Sequence, residues 1–286
     1  MNESGSERLV FAGNGMSSVA CVEVLLKTGC AFDITIFGDE PHANYDRTLL
    51  ASVLAGERDA ESIILNDFEW YQEHGIRTRL GIRVEEIDSR GRAVRSSDGD
   101  WTDYDRLILA TGASPRMPEV AGWDGVPVIV FDTLDDTRRI AEAAGPGVRV
   151  AVIGGWLAAE AARSLRKRGC EVVVVAEGGA IGRPMDADLV VIATDLEPNI
   201  ELGRVAGLKV NRGIVVNDQM ETSDPFIYAL GGCTEHNGRI FESLPLLLDQ
   251  ARVLARNLAG VRQRGFTDLD AMFQELAASP RHQRAE

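Results

Sequence analysis

The chain is short of cysteine, with four in 286 residues, at positions 21, 30, 170 and 233. No two form C-x-x-C, and none clusters with histidine at zinc-ligand spacing. A thioredoxin-type dithiol, a structural zinc site and an iron–sulfur cluster are therefore not expected, and buried free thiols are. Long apolar runs are missing as well. No stretch reaches the roughly 18 consecutive apolar residues of a membrane helix, so no membrane span is expected. Positive charge is in deficit, with 30 Lys and Arg against 44 Asp and Glu, a net charge of −14. Such a surface repels phosphate, which argues against nucleic acid or an anionic membrane as partner. The polar start, Met1-Asn-Glu-Ser-Gly-Ser-Glu7, lacks the basic and apolar regions of a signal peptide. A cytoplasmic location is expected from it. Neither a fixed-period repeat nor a low-complexity linker is present.

What is present is a βαβ pattern, twice. A β-rich run over 8–12 leads through glycines into a helical stretch over about 17–27, then the strand pattern 32–37. Residues 149–153, 157–168 and 171–176 repeat the pattern. Between them, 58–75 reads as a helix closed by Gly75, and 76–88 as a strand. Ser97-Asp-Gly-Asp100 reads as a hairpin turn, and 104–112 as a buried strand running into glycine. Further strands are expected at 188–194, 213–217 and 226–230, and a long amphipathic helix at about 243–259. In the tail, Phe266, Leu269, Met272, Phe273 and Leu276 fall near one helical face.

The first pattern carries Gly13-Asn-Gly15-Met-Ser17-Ser18. Gly13 permits a tight turn, and Gly15 lets backbone approach a pyrophosphate seated on the helix N-terminus. Ser18 stands in for the third glycine as a small residue. After the next strand, Asp39 and Glu40 offer carboxylates to ribose hydroxyls at close to the fingerprint's spacing. The site reads as nucleotide-binding.

Six segments together resemble the FAD-dependent pyridine nucleotide-disulfide oxidoreductase superfamily. They are the first turn, Phe37-Gly-Asp-Glu-Pro-His-Ala-Asn-Tyr-Asp-Arg47, Ala110-Thr-Gly-Ala-Ser-Pro-Arg116, Gly213-Ile-Val-Val-Asn-Asp218, Ser223-Asp-Pro-Phe-Ile-Tyr-Ala229 and Glu242-Ser-Leu-Pro. The nearest likeness is to the flavin module of NAD(P)H nitrite reductase large subunits, followed by ferredoxin and rubredoxin reductases. The resemblance implies an α/β fold: a Rossmann-like FAD-binding domain in two segments, 1–117 and 209–262. A truncated NAD-type insertion occupies 118–208, and a helical tail 263–286. It also implies the cofactor-binding residues. Gly13, Gly15, Met16 and Ser17 meet the pyrophosphate, and Asp39 with Glu40 the adenosine ribose. Arg47 runs beside the flavin, and Val84 offers its backbone to the adenine. Thr111, Gly112 and Arg116 lie at the second glycine turn, Arg116 near the phosphates. Gly232 and Leu244 complete the set. The resemblance assigns no catalytic residue and no metal ligand.

Four departures qualify the resemblance. The second fingerprint reads Gly154-Gly155-Trp156-Leu-Ala158-Ala-Glu160, with an indole where the family has glycine and one residue missing before Glu160. Trp156 is expected in core packing. Glu160 and Glu177 still match positions that meet a nicotinamide nucleotide. Only Glu177–Ala187 separates two strands where the family inserts a crossover unit of about 30 residues or more. Gly232 replaces an acid that holds the ribityl chain. After Gly260 only 26 residues follow, too few for the family's interface domain. In addition, Ala51 stands near the place of the usual flavin-side lysine, and no redox cysteine lies beside Asn44-Tyr45. The expected function is an FAD-binding electron-transfer subunit, its NAD(P)H site doubtful, working with a redox partner protein or as a homodimer. Two alternatives stay open. One is a self-sufficient NAD(P)H-dependent ferredoxin, rubredoxin or nitrite reductase flavin component. The other is a non-catalytic scaffold, favoured by Gly232 and Trp156.

Overall fold

The computed structural model describes residues 5–118, 125–176, 187–241, 243–261 and 266. The chain opens with β1 (Glu7–Ala12), α1 (Met16–Thr28) and β2 (Phe32–Gly38). A ribbon of β3 (Asn44–Tyr45) and β4 (Ile64–Asn66) follows, with α2 (Leu50–Leu54) between its strands. Next come α3 (Phe68–Glu73), β5 (Arg77–Leu80), the meander β6 (Val84–Asp88), β7 (Ala93–Ser96) and β8 (Trp101–Asp103), and β9 (Arg106–Leu109). β10 (Ala113–Pro115) and β11 (Val128–Val130) precede α4 (Leu134–Ala143). Then follow β12 (Arg149–Gly154), α5 (Trp156–Lys167), β13 (Glu171–Val175), β14 (Leu189–Ala193), β15 (Leu196–Pro198) and α6 (Glu201–Val205). The last elements are β16 (Ile214–Val216), β17 (Ile227–Ala229), a 3-10 turn at Gly231–Cys233, β18 (Thr234–His236), β19 (Arg239–Ile240) and α7 (Leu244–Leu258).

These elements divide into two compact units: Met1–Ala43 with Phe68–Gly112 and Pro198–Glu286, and Asn44–Asp67 with Ala113–Glu197. The first unit is built on a parallel sheet of order β17-β9-β1-β2-β5. Its central strands are apolar runs because both faces are covered. Leu9, Val10, Phe11, Leu107, Ile108 and Leu109 are all buried. α1 packs against α7. The second unit is a parallel sheet of order β11-β14-β12-β13. Its core joins Val150, Val152, Leu189 and Val191 to Ile140 of α4, Ala161 and Leu165 of α5, and Leu50 and Leu54 of α2. Both units are Rossmann-like α/β folds. Segment 44–67 groups with the second unit, although it precedes β5 to β9 in the chain.

Local structure departs from the sequence reading at three places. The helix expected over 58–75 exists only as α3; Ala60–Ile63 is a 3-10 turn, and Ile64–Asn66 is strand because it pairs with β3. The strand expected over 76–88 breaks at Gly81 into β5, in the main sheet, and β6, in the meander. Trp156 is not in the core: it is 70% exposed. As first residue of α5 it points away from the helix's buried stripe of Ala158, Ala161, Ala162 and Leu165. Glu177, Glu242 and the tail residues Leu269, Met272, Phe273 and Leu276 lie outside the described residues. Among those described, no helix is long and apolar enough to cross a membrane.

The starts of β1 and β9 are locked by one ion pair. Arg8 donates from its backbone N–H and Nε to Asp105 Oδ2 at 2.8 and 3.1 Å, and from Nη2 to Oδ1 at 3.2 Å. The hydrogen bond from the Arg8 side chain holds the Asp105 carboxyl at a pKa of about 2. An ordinary aspartate titrates near pH ~4. The folded value is the lower one, so this stabilisation is present above the ordinary value and disappears as pH falls towards 2. Asp105→Asn is expected to lower stability at pH 7 and to flatten the acid limb of a stability–pH curve measured by urea unfolding.

Candidate functional site

β1 ends at Ala12, and Gly13 turns the chain with φ +130°, a conformation that side chains avoid. A Cβ there would lie 2.1 Å from the carbonyl oxygen of Ala110, so only glycine lets the two strand ends approach this closely. The Gly13 N–H donates to Phe37 O at 2.9 Å. Gly15 then caps α1 with extended backbone and no side-chain cap; the first turn of α1 carries no acid. A Cβ on Gly15 would meet nothing within 4 Å. The first-turn N–H groups, including those of Met16 and Ser17, have no intrahelical acceptor. α4 has the opposite arrangement, a complete capping box in which Thr133 and Asp136 bond each other's backbone. An uncapped N-terminus behind an open glycine suits a phosphate group, through its donors and its dipole. This donor set fits the pyrophosphate of a dinucleotide.

Strand order reverses between β1 and β9, and open α/β sheets bind ligands in the crevice at the carboxyl ends of their strands at such a point. Several supports converge there. Asn14 accepts from the Tyr71 hydroxyl at 2.9 Å and donates to His42 O at 3.4 Å, which holds the turn from outside. Thr111 Oγ1 donates to Asn199 O at 2.7 Å, and Asn199 returns Nδ2 to Thr111 O at 2.8 Å and its N–H to Gly112 O at 2.9 Å. The turn that contains Gly232 is clipped by Gln250, fully buried on α7. Gln250 Oε1 accepts from the Gly231 N–H at 2.7 Å, its Nε2 donates to Thr234 Oγ1 at 3.0 Å, and that hydroxyl donates to Gly231 O at 2.8 Å. Leu244 is the first residue of α7 and half-buried. Beyond β2, Asp39 is ion-paired with Arg83 at 2.6 Å. Glu40 is half-buried, and Val84 is buried at the start of β6.

Thus Gly13, Gly15, Met16, Ser17, Asp39, Glu40, Val84, Thr111, Gly112, Gly232 and Leu244 all belong to the first unit. Arg47 and Arg116 belong to the second. There Arg47 reaches Asp132 at 3.4 Å and Arg116 reaches Glu197 at 3.7 Å. Sequence reasoning passed over Asn14, Tyr71, Asn199, Arg83 and Gln250. Gln250 had left a signal: it interrupts the apolar spacing Leu246, Leu254 on one helix face. All four cysteines are free. Burial pushes the Cys21 and Cys233 thiols upward, away from the reactive thiolate.

The second unit repeats the first turn with one residue fewer. Gly154 has φ +148°, and a Cβ on it would sit 1.9 Å from Ala193 O, as Gly13 meets Ala110. The helix cap follows one residue after Gly154, at Gly155, whereas Gly15 stands two residues after Gly13. The first helical bonds agree: Ala159 N–H to Gly155 O and Val19 N–H to Gly15 O. Trp156 therefore occupies the first position of α5, beside a helix N-terminus that is also uncapped. Glu160 is half-buried one turn further on.

The model of the pyridine nucleotide-disulphide oxidoreductase family matches residues 7–187 and 179–252. The chain belongs to that family. Among its relatives is the assimilatory nitrate reductase electron transfer subunit of Bacillus subtilis, 38% identical over 89% of this chain and 39% of the relative. The nitrite reductase [NAD(P)H] of the same organism is 35% identical over 92% of this chain and 38% of the relative. The chain thus spans less than half the length of these two curated relatives. Among solved structures, the putidaredoxin reductase–putidaredoxin complex matches with TM-score 0.82 and 28% identity, over 90% of this chain and 77% of that one. A ferredoxin reductase from Rhodopseudomonas palustris matches with TM-score 0.82 and 26% identity, over 91% and 78%.

Replacing Gln250 by Leu leaves the buried Gly231 N–H without an acceptor. The expected cost is about 1–3 kcal/mol. It would be read as a lower urea midpoint at unchanged slope, and an unchanged midpoint would remove Gln250 from the scaffold of this turn.

Proposed function

We propose that this chain is the FAD-holding module of an electron-transfer flavoprotein that exchanges electrons with a redox partner protein. One observation carries the reading: the open glycine at position 15 before the uncapped first turn of α1. Gly13, Gly15, Met16 and Ser17 would receive the pyrophosphate, and Asp39 with Glu40 and the backbone at Val84 the adenosine. The turns at Thr111-Gly112 and Gly231-Gly232, with Leu244, would border the remainder. Bound FAD supplies the redox chemistry, and the chain supplies binding, orientation and electrostatics. Gly232 offers no carboxylate, so the ribityl chain would be met by backbone and water at this point. The relatives named for electron transfer and ferredoxin reduction support the reading.

In this reading the second unit does not bind a nicotinamide nucleotide tightly. The shortened turn removes one peptide from the phosphate cradle, and the exposed indole of Trp156 stands at its mouth. A second reading, an NAD(P)H-dependent reductase, is favoured by the retained close contact of Gly154, by Glu160, and by relatives whose names carry NAD(P)H.

The purified protein is expected to bind FAD and absorb as a flavoprotein. A protein that stays colourless with added FAD would overturn the proposal in favour of a scaffold. Gly15→Ala should cost no more than about 1 kcal/mol of stability, the loss of a glycine cap, because its Cβ meets no atom within 4 Å among the described residues. It should weaken FAD binding by about a hundredfold, the equivalent of roughly 2.7 kcal/mol. Anaerobic mixing with NADH separates the two readings. Slow or absent bleaching of the flavin supports the first, and rapid bleaching at low NADH selects the second.

A further inference from the structure

We propose that Arg83 is the residue that makes this site select a flavin carrying an adenosine half, FAD over FMN. The inference rests on the FAD reading above. Arg83 lies in the link between β5 and β6, and that link is fastened along the end of β2. Ile82 N–H donates to Gly38 O at 2.9 Å, and Gly81 N–H to Glu40 O at 3.1 Å. The Arg83 backbone is held in turn by Ser97: its N–H donates to Ser97 Oγ at 3.2 Å, and its carbonyl accepts from the Ser97 N–H at 2.8 Å. The fixed backbone delivers the guanidinium to Asp39, Nη2 to Oδ2 at 2.6 Å.

The side chains are nonetheless open, Arg83 at 68% and Asp39 at 51% exposure. An ion pair this exposed adds little to the fold. It leaves Oδ1 of Asp39 and the remaining Arg83 donors without a partner among the described residues. Asp39 directly follows the end of β2, where an adenosine ribose would lie. Side chains alternate across a strand, and Val84, the next residue, is buried. Arg83 therefore stands on the opposite, solvent side of the same backbone. An adenine resting on the Val84 backbone would meet the planar guanidinium, which stacks well on aromatic faces. Arg83 thus has two tasks: it holds Asp39 in the rotamer that accepts from the ribose, and it covers the base. It is a positioning residue, since the reacting ring lies at the other end of the cofactor. FMN lacks ribose and adenine and gains from neither task.

The test titrates FAD and FMN separately into the flavin-free 286-residue chain, following flavin fluorescence, for wild type, Arg83→Ala, Arg83→Lys, Asp39→Asn and the double variant. Arg83→Ala is expected to raise the Kd for FAD about five- to twentyfold. The Kd for FMN and the thermal midpoint of the flavin-free protein should not move. Arg83→Lys restores charge without the plane and should recover only part of the loss. The double variant should bind FAD about as poorly as Asp39→Asn alone, because the two residues act as a unit. An unchanged Kd for FAD in Arg83→Ala, a tighter one, or equal losses for FAD and FMN would each overturn the proposal for Arg83 and leave the FAD reading standing. If wild type binds neither flavin, the FAD reading itself fails.

Discussion

In each unit, one glycine at the end of a central strand packs directly against the carbonyl that ends the neighbouring strand. Gly13 meets Ala110, and Gly154 meets Ala193. Any side chain at either position would collide with backbone, which has no rotamer to change. The contact decides how closely β1 approaches β9 and β12 approaches β14, and so where each following helix begins. Everything at the candidate site depends on this placement. The helix N-terminus must arrive beside the crevice with its donors unspent, and a cap such as the Thr133–Asp136 box of α4 would spend them.

From the same constraint the two units diverge by a single residue. One residue, Asn14, lies between Gly13 and the cap of α1 at Gly15, and none lies between Gly154 and the cap of α5 at Gly155. In the first unit the extra residue, Asn14, is held by Tyr71 and leaves Gly15 facing open space. In the second, the helix begins immediately and brings Trp156 to its mouth. Among the described residues the indole at the first turn of α5 is exposed, whereas the small residues Ala158, Ala161 and Ala162 are buried against the sheet.

The first crevice is also supported from far along the chain. Asn199 ties the Thr111-Gly112 turn, and Gln250 ties the turn at Gly231. Gln250 uses both ends of its side-chain amide, accepting from Gly231 N–H and donating to Thr234, whereas Asn199 donates from its side-chain amide and its backbone N–H and accepts on its backbone carbonyl. Both satisfy backbone groups of the glycine turns without adding charge.

The family, the repeated βαβ pattern and the glycines of both turns were legible in the sequence, because close packing of backbone on backbone tolerates one residue type and leaves a readable mark. The missing residue before Glu160 was legible for the same reason, and it reappears as the shorter turn. Three features were not. The region 58–75 has helical composition, but pairing with β3 makes part of it strand. Trp156 is apolar and was expected inside, yet its position on the first turn of α5 points it outward. Arg83, Asn199 and Gln250 are polar residues of ordinary type, and their roles depend on which distant backbone groups they meet. By itself the sequence determined the glycine turns, the parallel α/β class and the family, which are set by local sterics and periodicity. Only the tertiary structure decided which side chains serve the first helix N-terminus, because those follow from contacts between distant segments, such as Thr111 with Asn199, 88 residues apart.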